Sequence, residues 1–265
     1  MRIARFSIDG NVAFGVVEGD SPPGSTDGLV LNIIKGIPFT EFETTGTRVP
    51  LNQVRLLPPV LPSKVIGIGR NYAEHAAELG NEVPATPVAF LKPSTSVIGD
   101  GDGIAYPSFS QEVHYEAELA VVIGRLCRDV PHERVKDVIL GFTCANDVTA
   151  RDIQRSDNQW SRAKGFDTSC PLGPWVETGI DLATAANLTL QCTVNGQQRQ
   201  LGSTSDMVRS VEDLIVHVSE AMTLLPGDVI LTGTPAGVGP LNVGDEVAVS
   251  IEGIGTLTNK VITRG

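Results

Sequence analysis

Apolar residues occur along this chain in short runs separated by glycine, proline and asparagine, a pattern typical of β-strands joined by turns. Near the start, the runs at residues 3–6 and 12–17 flank Asp9-Gly10-Asn11, which has the composition of a hairpin turn. Residues 20–28 are rich in turn formers. This opening part of the chain therefore predicts a small unit of antiparallel strands.

A proline-dense stretch, Leu57-Pro58-Pro59-Val60-Leu61-Pro62, follows that unit. Proline stiffens the chain and interrupts both strand ladders and helices, so the stretch is typical of a linker. We therefore predict two domains, a small N-terminal β domain over residues 1–60 and a larger domain over residues 61–265. The sequence contains no evident internal repeat or low-complexity tract.

Beyond the linker the apolar runs again have the length of strands, and turn residues separate them. Two of the later segments are joined by Asn195-Gly196, which predicts a second hairpin. The predicted strands cover residues 65–69, 114–123, 139–147, 188–194, 229–231, 246–251 and 256–262.

Three segments carry the signals of helix starts. Asn71 can cap a short helix that Gly80 would end. A second helix is predicted to begin at Thr149 and to run towards Trp160. Ser210 caps the best amphipathic helix, whose apolar side carries Leu214, Ile215, Val218, Ala221 and Met222. Because helices do not alternate regularly with strands, we predict an α+β fold, with a mixed-β core and few helices.

Composition limits the classes of function. With 41% hydrophobic residues among 265, the chain can bury a sizeable core. Its formal net charge of −11 disfavours binding to nucleic acid or to an anionic membrane, although a local cationic pocket is compatible with it. The four cysteines form no C-x-x-C pair, the start lacks the apolar run of a signal peptide, and no stretch approaches 18 apolar residues. We expect a reduced, cytoplasmic protein.

The most informative polar positions lie at the start of the predicted strand 114–123. Because successive strand residues point to opposite faces, Glu116 and Glu118 share a face, roughly 6.5–7 Å apart. The following residues are apolar on both faces, so the two carboxylates stand at the mouth of a buried strand. Like charges there repel unless one is protonated or a cation lies between them. A divalent metal would meet this need, and a solvated strand edge is the alternative.

A third acid follows the next buried strand. Asp147 ends the uncharged run 139–146, just before a predicted helix. Three carboxylates without paired cysteine or histidine favour a hard ion that prefers oxygen ligands, Mg²⁺ or Mn²⁺ rather than Zn²⁺. Capping of the helix is the alternative role for Asp147.

Two further segments could supply proton transfer and positive charge. His75 and Glu78 lie three residues apart on the first predicted helix, so they face each other, and Glu78 could orient His75 as a general base. An exposed ion pair is the alternative. Lys164 lies in a predicted loop beside Gly165, where it could stabilise an enolate oxygen or remain a solvated charge.

From about Lys64 to its end, the chain resembles the fumarylacetoacetate hydrolase family through six segments that occur in the family's order. These segments are Gly69-Arg70-Asn71-Tyr72-Ala73-Glu74-His75, Phe90-Leu91-Lys92-Pro93, His114-Tyr115-Glu116-Ala117-Glu118-Leu119, residues 146–154 from Asn146 to Gln154, Lys164-Gly165-Phe166-Asp167, and residues 225–235 from Leu225 to Pro235. Residues 1–60 resemble the small β domain that precedes the catalytic domain in many bacterial members.

The resemblance implies a β-roll catalytic domain, a homodimer and a role for each matching residue. The implied metal ligands for Mg²⁺ or Mn²⁺ are Glu116, Glu118 and Asp147. The implied catalytic residues are Lys164, beside the enolate, and the pair His75 and Glu78 on a lid helix. The implied substrate contacts are Arg70, Arg151, Gln154 and Thr234.

Members of the family hydrolyse, decarboxylate or tautomerise 2-oxo or 1,3-dicarbonyl acids through a metal-stabilised enolate. Within the family, the chain looks closest to the branch of 2-hydroxyhepta-2,4-diene-1,7-dioate isomerases and decarboxylases. Oxaloacetate decarboxylase and acylpyruvate hydrolase remain alternatives. A non-catalytic oxo-acid binding protein is an alternative of another class, but it would be expected to lack metal or lid residues that are all present here.

Overall fold

The computed structural model describes residues 1–21 and 25–264. Residues 22–24, which belong to the turn-rich segment predicted at 20–28, lie outside the described residues. In the described part of the chain strands far outnumber helices, and this confirms the predicted α+β fold with a mixed-β core. None of the helices in this part combines the length and the apolar character needed to cross a membrane.

Strands and helices are numbered in chain order. The strands are β1 (Arg2–Ile8), β2 (Asn11–Glu18), β3 (Val30–Lys35), β4 (Glu43–Pro50), β5 (Arg55–Leu57), β6 (Lys64–Gly69), β7 (Val88–Pro93), β8 (Val97–Ile98), β9 (Gly103–Tyr106), β10 (Val113–Tyr115), β11 (Ala117–Ile123), β12 (Ile139–Asn146), β13 (Thr149–Ala150), β14 (Cys170–Glu177), β15 (Thr189–Val194), β16 (Gln197–Ser203), β17 (Val229–Leu231), β18 (Gly239–Pro240), β19 (Glu246–Ile251) and β20 (Gly255–Thr263). The α-helices are α1 (Ala73–Glu78), α2 (Arg151–Ser156), α3 (Ser161–Lys164), α4 (Leu182–Ala185) and α5 (Val211–Ala221).

The largest sheet has the strand order β4-β3-β2-β1-β14-β12-β11-β17-β6-β7. The first four strands form an antiparallel meander, and β1 joins it to the rest of the sheet by pairing with β14. Near the other edge β17 and β6 run parallel, and β7 closes the sheet antiparallel to β6. The strands of the first sixty residues therefore continue the sheet of the larger domain.

A second sheet, in the order β16-β15-β19-β20-β9, packs over the centre of the first. The side chains between the two sheets form the main core, which includes Leu119 of β11, Cys144 of β12, Leu190 of β15 and Val249 of β19. A small third sheet, β13-β10-β18, lies beside the start of β11. The junction between the first and third sheets positions the acidic residues described below.

The continuous strand predicted over 114–123 is wrong at one residue. The segment forms two strands that belong to different sheets, β10 and β11, and Glu116 lies between them. The backbone N–H of Glu116 donates to the side-chain oxygen of Asn146 at 2.9 Å instead of to a strand neighbour. Alternation of polar and apolar residues continues through the break, so the sequence pattern contains no sign of it.

The predicted helix from Thr149 towards Trp160 is also wrong in extent. Thr149 and Ala150 pair with β10 as the short strand β13, and the helix begins only at Arg151. It ends at Ser156, because the next residue has extended backbone angles. The separate helix α3 then contains Lys164 as its last residue, so this lysine is helical and not in the loop predicted for it.

The start of α1 differs from its prediction in a way that matters for the site. Tyr72 occupies the cap position and makes no side-chain capping bond, whereas the Asn71 amide donates to the carbonyl oxygens of Thr232 (2.8 Å) and Arg209 (3.1 Å). Asn71 therefore attaches the helix start to other segments instead of capping it. Gly80 follows the helix with φ +69°, as expected for a glycine that ends a helix.

Other predicted elements are confirmed. Asn195 and Gly196 both have positive φ, 53° and 74°, in the turn between β15 and β16. Ser210 caps α5, and a reciprocal capping box with Asp213 completes the helix start. The buried residues of α5 are Val211, Leu214, Ile215, Val218 and Ser219. The predicted apolar side is therefore confirmed at Leu214, Ile215 and Val218. It is wrong at its end, because Ala221 is exposed and Met222 lies just beyond the last helical residue.

Candidate active site

A cavity of about 530 Å³ opens between β6, helices α1 to α3 and the adjoining ends of β11 and β12. The structure brings all ten residues named from the sequence to the lining of this one cavity. They are Arg70, His75, Glu78, Glu116, Glu118, Asp147, Arg151, Gln154, Lys164 and Thr234. Their roles remain predictions, but their common location is a property of the fold.

Three buried carboxylates form the inner end of the cavity. Glu116 lies in the break between β10 and β11, Glu118 is the second residue of β11, and Asp147 directly follows β12. One oxygen from each lies within 4.8 Å of the others, and none of the three residues is more than 4% exposed. The backbone N–H of Asp147 donates to the carbonyl of Glu116 at 2.9 Å, so the pairing of β11 with β12 extends to the segments that carry these carboxylates.

Three cationic side chains lie against these carboxylates. The Lys164 ammonium donates to Glu116 Oε2 at 2.7 Å and to Asp147 Oδ2 at 2.6 Å, and so bridges two of them. The Arg151 guanidinium pairs with the other oxygen of Glu116. Lys92 donates to Asp147 Oδ1 at 2.5 Å and to the Ser169 carbonyl at 2.9 Å. Glu116 and Asp147 are therefore each paired with two cations, whereas Glu118 is paired with none of the three.

The surroundings shift the pKa values of the two glutamates in opposite directions. Burial would raise the pKa of Glu116, but the charges of Lys164 and Arg151 outweigh it and hold that pKa below its ordinary value. Burial, together with the negative charges of Asp147 and Glu116, raises the pKa of Glu118 well above its ordinary value. Burial would lower the pKa of Lys164, but Asp147 and Glu116 raise it, so this lysine is kept charged.

Glu118 provides the test of whether a metal ion fits this cluster. Its side chain accepts a hydrogen bond from the Gly233 backbone N–H at 2.6 Å, and it takes part in none of the ion pairs found among residues 1–21 and 25–264. A buried carboxylate without a cationic partner is costly. A cation bound between Glu118, Glu116 and Asp147 would supply that partner, and an all-oxygen donor set suits Mg²⁺ or Mn²⁺. The residues present therefore fit a divalent metal.

Helix α1 places two predicted residues over this end of the cavity. His75 Nδ1 lies 3.3 Å from Glu78 Oε2, one helical turn apart on the same face. His75 is buried and Glu78 is partly exposed. The Glu78 carboxylate also accepts from the Gly237 backbone N–H at 3.1 and 3.2 Å, so it attaches the helix to the loop before β18.

The side chains predicted to contact the substrate differ in whether they already form hydrogen bonds within the protein. Arg70 has a left-handed backbone with φ 61°, and its side chain takes part in no hydrogen bond or ion pair recorded for the described residues. The Arg151 guanidinium donates to Gln154 at 2.6 Å. The Thr234 hydroxyl donates to the Ala117 carbonyl at 2.8 Å. Arg70 is therefore the cationic group most available to a ligand.

Sequence reasoning missed two features of the cavity region. Lys92 is fully buried against Asp147, although it lies outside the cavity lining. Lys92 directly follows the apolar run 88–91 within β7, and a lysine at such a position was a usable signal for a buried charge partner. Phe90 and Trp160 line the cavity together, with ring centroids 5.5 Å apart in an edge-to-face arrangement. They are 70 positions apart in sequence, and only the fold brings them together.

Comparison with known proteins extends over nearly the whole chain. Residues 64–262 match the family described as fumarylacetoacetate (FAA) hydrolase C-terminal. Residues 1–59 match a family described as Rv2993c-like, N-terminal.

Three individual proteins illustrate the similarity. The 2-hydroxyhepta-2,4-diene-1,7-dioate isomerase from Mycobacterium marinum has a structure with a TM-score of 0.91 and 47% identity, covering 100% of this chain and 99% of that one. Oxaloacetate tautomerase YcgM from Escherichia coli (strain K12) is 44% identical over 204 residues, 76% of this chain and 93% of that protein. Fumarylpyruvate hydrolase from Pseudomonas aeruginosa, solved in complex with Mn²⁺ and pyruvate, has a TM-score of 0.72 and 30% identity, covering 79% and 92%.

Proposed function

The chain belongs to the fumarylacetoacetate hydrolase family and is an enzyme, and on this premise we propose that it tautomerises 2-oxo acids with a divalent metal ion, as a 2-hydroxyhepta-2,4-diene-1,7-dioate isomerase would. The observation that carries the proposal is the cavity with three buried carboxylates at its inner end and a histidine–glutamate pair above them. The isomerase and the oxaloacetate tautomerase among its relatives support the reaction type.

The metal proposal rests on the carboxylate cluster. Glu116, Glu118 and Asp147 would hold Mg²⁺ or Mn²⁺, and the relative solved with Mn²⁺ and pyruvate supports this choice. The bound ion would act as a Lewis acid towards the 2-oxo acid. Both ions prefer oxygen ligands, so the cluster suits either of them.

The protein's own groups account for proton movement. The 2-oxo acid loses a proton from C3 to form an enolate, and His75 lies at the cavity with Glu78 placed to orient its ring and balance its charge. The buried Lys164 ammonium lies where it can stabilise the developing negative oxygen. Returning the proton to a different carbon completes the isomerisation of a diene acid, and returning it to the enolate oxygen completes a keto–enol tautomerisation, so no other reactant is needed.

A second candidate is hydrolysis of an acylpyruvate. The same His75–Glu78 pair could deprotonate a water molecule for attack on the distal carbonyl, and one relative is a fumarylpyruvate hydrolase. Decarboxylation of oxaloacetate is a third outcome of the same enolate chemistry. It requires the electron sink and a later protonation, but no base that removes a proton from carbon or water.

A panel of acids assayed with and without metal tests the proposal. Purified protein with MnCl₂ or MgCl₂ is expected to accelerate loss of the enol absorbance of oxaloacetate, and EDTA should abolish the effect. His75→Ala should lower kcat for tautomerisation by roughly 10²–10⁴. It should lower carbon dioxide release from oxaloacetate much less.

A histidine far from the cavity provides the matched control. His132 has a side chain that is 63% exposed, and His132→Ala should keep full activity. Pyruvate release from an acylpyruvate at a higher kcat/KM than any tautomerisation would favour the hydrolase instead. Full activity in EDTA, or in His75→Ala, would contradict the proposal.

A further inference from the structure

Two aromatic rings line one side of the cavity. Phe90 of β7 and Trp160, which precedes α3, meet edge to face with an interplanar angle of 69°. Both rings line the cavity and both residues are partly exposed. The Phe90 ring lies near the inner end of the cavity, since the Lys164 ammonium, which contacts Glu116 and Asp147, is 5.1 Å from its centroid.

Two glycines of β6 make room for these rings. Gly67 lies opposite Phe90 in the strand pair, and a Cβ added at Gly67 would lie 2.2 Å from the Phe90 ring. A Cβ at Gly69, two residues along and on the same face, would lie 2.9 Å from the Trp160 ring. Neither glycine has a positive φ, so close approach of the rings is the reason for both.

An aromatic ring packed over a strand glycine can be purely structural. Such a ring is expected to be covered by other side chains, as Phe142 and Phe6 are in the cores of this protein. Phe90 and Trp160 instead keep part of their surface open to the cavity. Exposed aromatic surface beside a group of buried charges is the composition of a ligand site, in which apolar walls bind and a few polar groups orient.

We infer that Phe90 and Trp160 form a specificity wall that selects 2-oxo acids with a flat, conjugated or aryl tail over short aliphatic ones. The inference rests on the proposed function and names the class of substrate tail. A cavity of about 530 Å³ falls within the range of roughly 300–1,000 Å³ typical of pockets for drug-sized ligands, more than a four-carbon acid fills. Flat unsaturated groups gain stacking or edge contacts with aromatic rings that a saturated chain does not.

Two acids test the specificity wall separately from the chemical step. Phenylpyruvate carries an aryl ring on C3, whereas oxaloacetate carries only a carboxylate there, and both are assayed as tautomerisation with MnCl₂. Phe90→Leu and Trp160→Leu keep apolar bulk but remove the flat ring. In each, kcat/KM for phenylpyruvate should fall about tenfold and that for oxaloacetate less than about threefold.

Two further variants serve as controls. Trp160→Phe retains a ring and should stay near the wild-type ratio of the two kcat/KM values. Phe109→Leu removes an exposed ring that packs on Phe166 outside the cavity lining, and it should change neither acid. The Mn²⁺-induced rise in Tm, measured in every variant, reports whether the carboxylate cluster remains intact.

A measurement on the wild type alone covers the case in which a variant does not fold. Phenylpyruvate should inhibit oxaloacetate turnover several-fold more tightly than 3-cyclohexylpyruvate, which has similar size without a flat ring. Equal inhibition by the two pyruvates would contradict the specificity wall. Equal losses of kcat/KM for both acids in Phe90→Leu and Trp160→Leu would also contradict it. Turnover of oxaloacetate but not phenylpyruvate would overturn it while leaving the proposed function standing. Turnover of neither acid would overturn both.

Discussion

The two buried glutamates are two residues apart but have different surroundings. Glu116 contacts Lys164 and Arg151, so its charge is balanced within the protein. Glu118 contacts the Gly233 N–H and forms none of the ion pairs recorded for the described residues, and its pKa is raised by burial and by neighbouring negative charge. Removing the charge of each should therefore have different consequences, although both are predicted metal ligands.

Glu118→Gln should weaken Mn²⁺ binding by at least tenfold, because a carboxylate ligand is lost. In EDTA its Tm should stay at or above the wild-type value, since the substitution removes a buried charge that has no partner. Calorimetric titration with MnCl₂ and thermal unfolding measure the two effects. Glu74→Gln, on the exposed side of α1, is the control. Wild-type Mn²⁺ affinity in Glu118→Gln would exclude Glu118 as a ligand.

In EDTA, the stability of Glu116→Gln should differ from that of Glu118→Gln. This substitution leaves Lys164 and Arg151 with a neutral amide in place of a charged partner. Breaking a buried ion pair in this way costs about 3 kcal/mol. The urea midpoint measured in EDTA should therefore fall for Glu116→Gln but not for Glu118→Gln. Equal midpoints for the two variants would show that the ion pairs of Glu116 contribute little.

Candidate site residues with charged side chains could be predicted from the sequence, because few roles are compatible with a charge in a buried segment. Charges in buried runs need partners, so Glu116, Glu118 and Asp147 stood out, and the structure places them together. Lys92 obeys the same rule and could have been found with it. The contact between Phe90 and Trp160 could not, because apolar residues are equally expected in the core.

Among the elements, α1 owes its position to interactions outside itself. It has six residues, too few for a stable isolated helix. The side chain of Asn71 accepts from the Arg209 N–H at 2.9 Å and donates to two carbonyls, and Glu78 accepts from the Gly237 N–H. Both ends of the helix are thus attached to segments distant in sequence.

Asn71→Ala should loosen this helix without removing any group from the cavity lining. Loss of three hydrogen bonds, one buried and two partly buried, is expected to increase amide hydrogen exchange across residues 73–79, because opening costs less free energy. KM for the 2-oxo acid should rise while Mn²⁺ affinity stays within about threefold. Asn11→Ala, at the exposed start of β2 and outside the cavity lining, is the control, since that side chain bonds only to the Asp9 carbonyl. Unchanged exchange in Asn71→Ala would show that Asn71 does not hold the helix.

Element boundaries were harder to predict than element types, and residues 114–118 show why. Their alternation is the same on both sides of Glu116, yet β10 pairs with β13 and β18 whereas β11 pairs with β12 and β17. Strand pairing is decided by partners distant in sequence, which a local pattern does not contain. By contrast, the turn at Asn195-Gly196 and the cap at Ser210 are local, and both were predicted correctly.

For the whole molecule, the relation between the two predicted domains can be examined by deletion. Strands of residues 1–60 have their own core around Phe6 and Leu31, but that core also contains Trp175 of the larger domain. The N-terminal ammonium also pairs with Glu177 at 2.6 Å. The two predicted domains therefore share both a sheet and a cluster of buried side chains.

A chain lacking residues 1–60 should have a markedly lower Tm, because Trp175 and the edge of β14 become exposed. It should still bind Mn²⁺ within about threefold of the wild-type affinity, since the carboxylate cluster lies entirely in the larger domain. Calorimetry and thermal unfolding of the shortened chain measure both. Loss of Mn²⁺ binding in a folded shortened chain would contradict the domain division.

The pairing of Glu116 and Asp147 with internal cations has a consequence for folding. Lys164, Arg151 and Lys92 already compensate these two carboxylates, so we expect the chain to fold before a metal binds. In this respect the protein differs from small zinc domains, which are unfolded until loaded. On the proposed metal dependence, a cell short of manganese or magnesium would accumulate folded, inactive chains that become active when the metal is supplied.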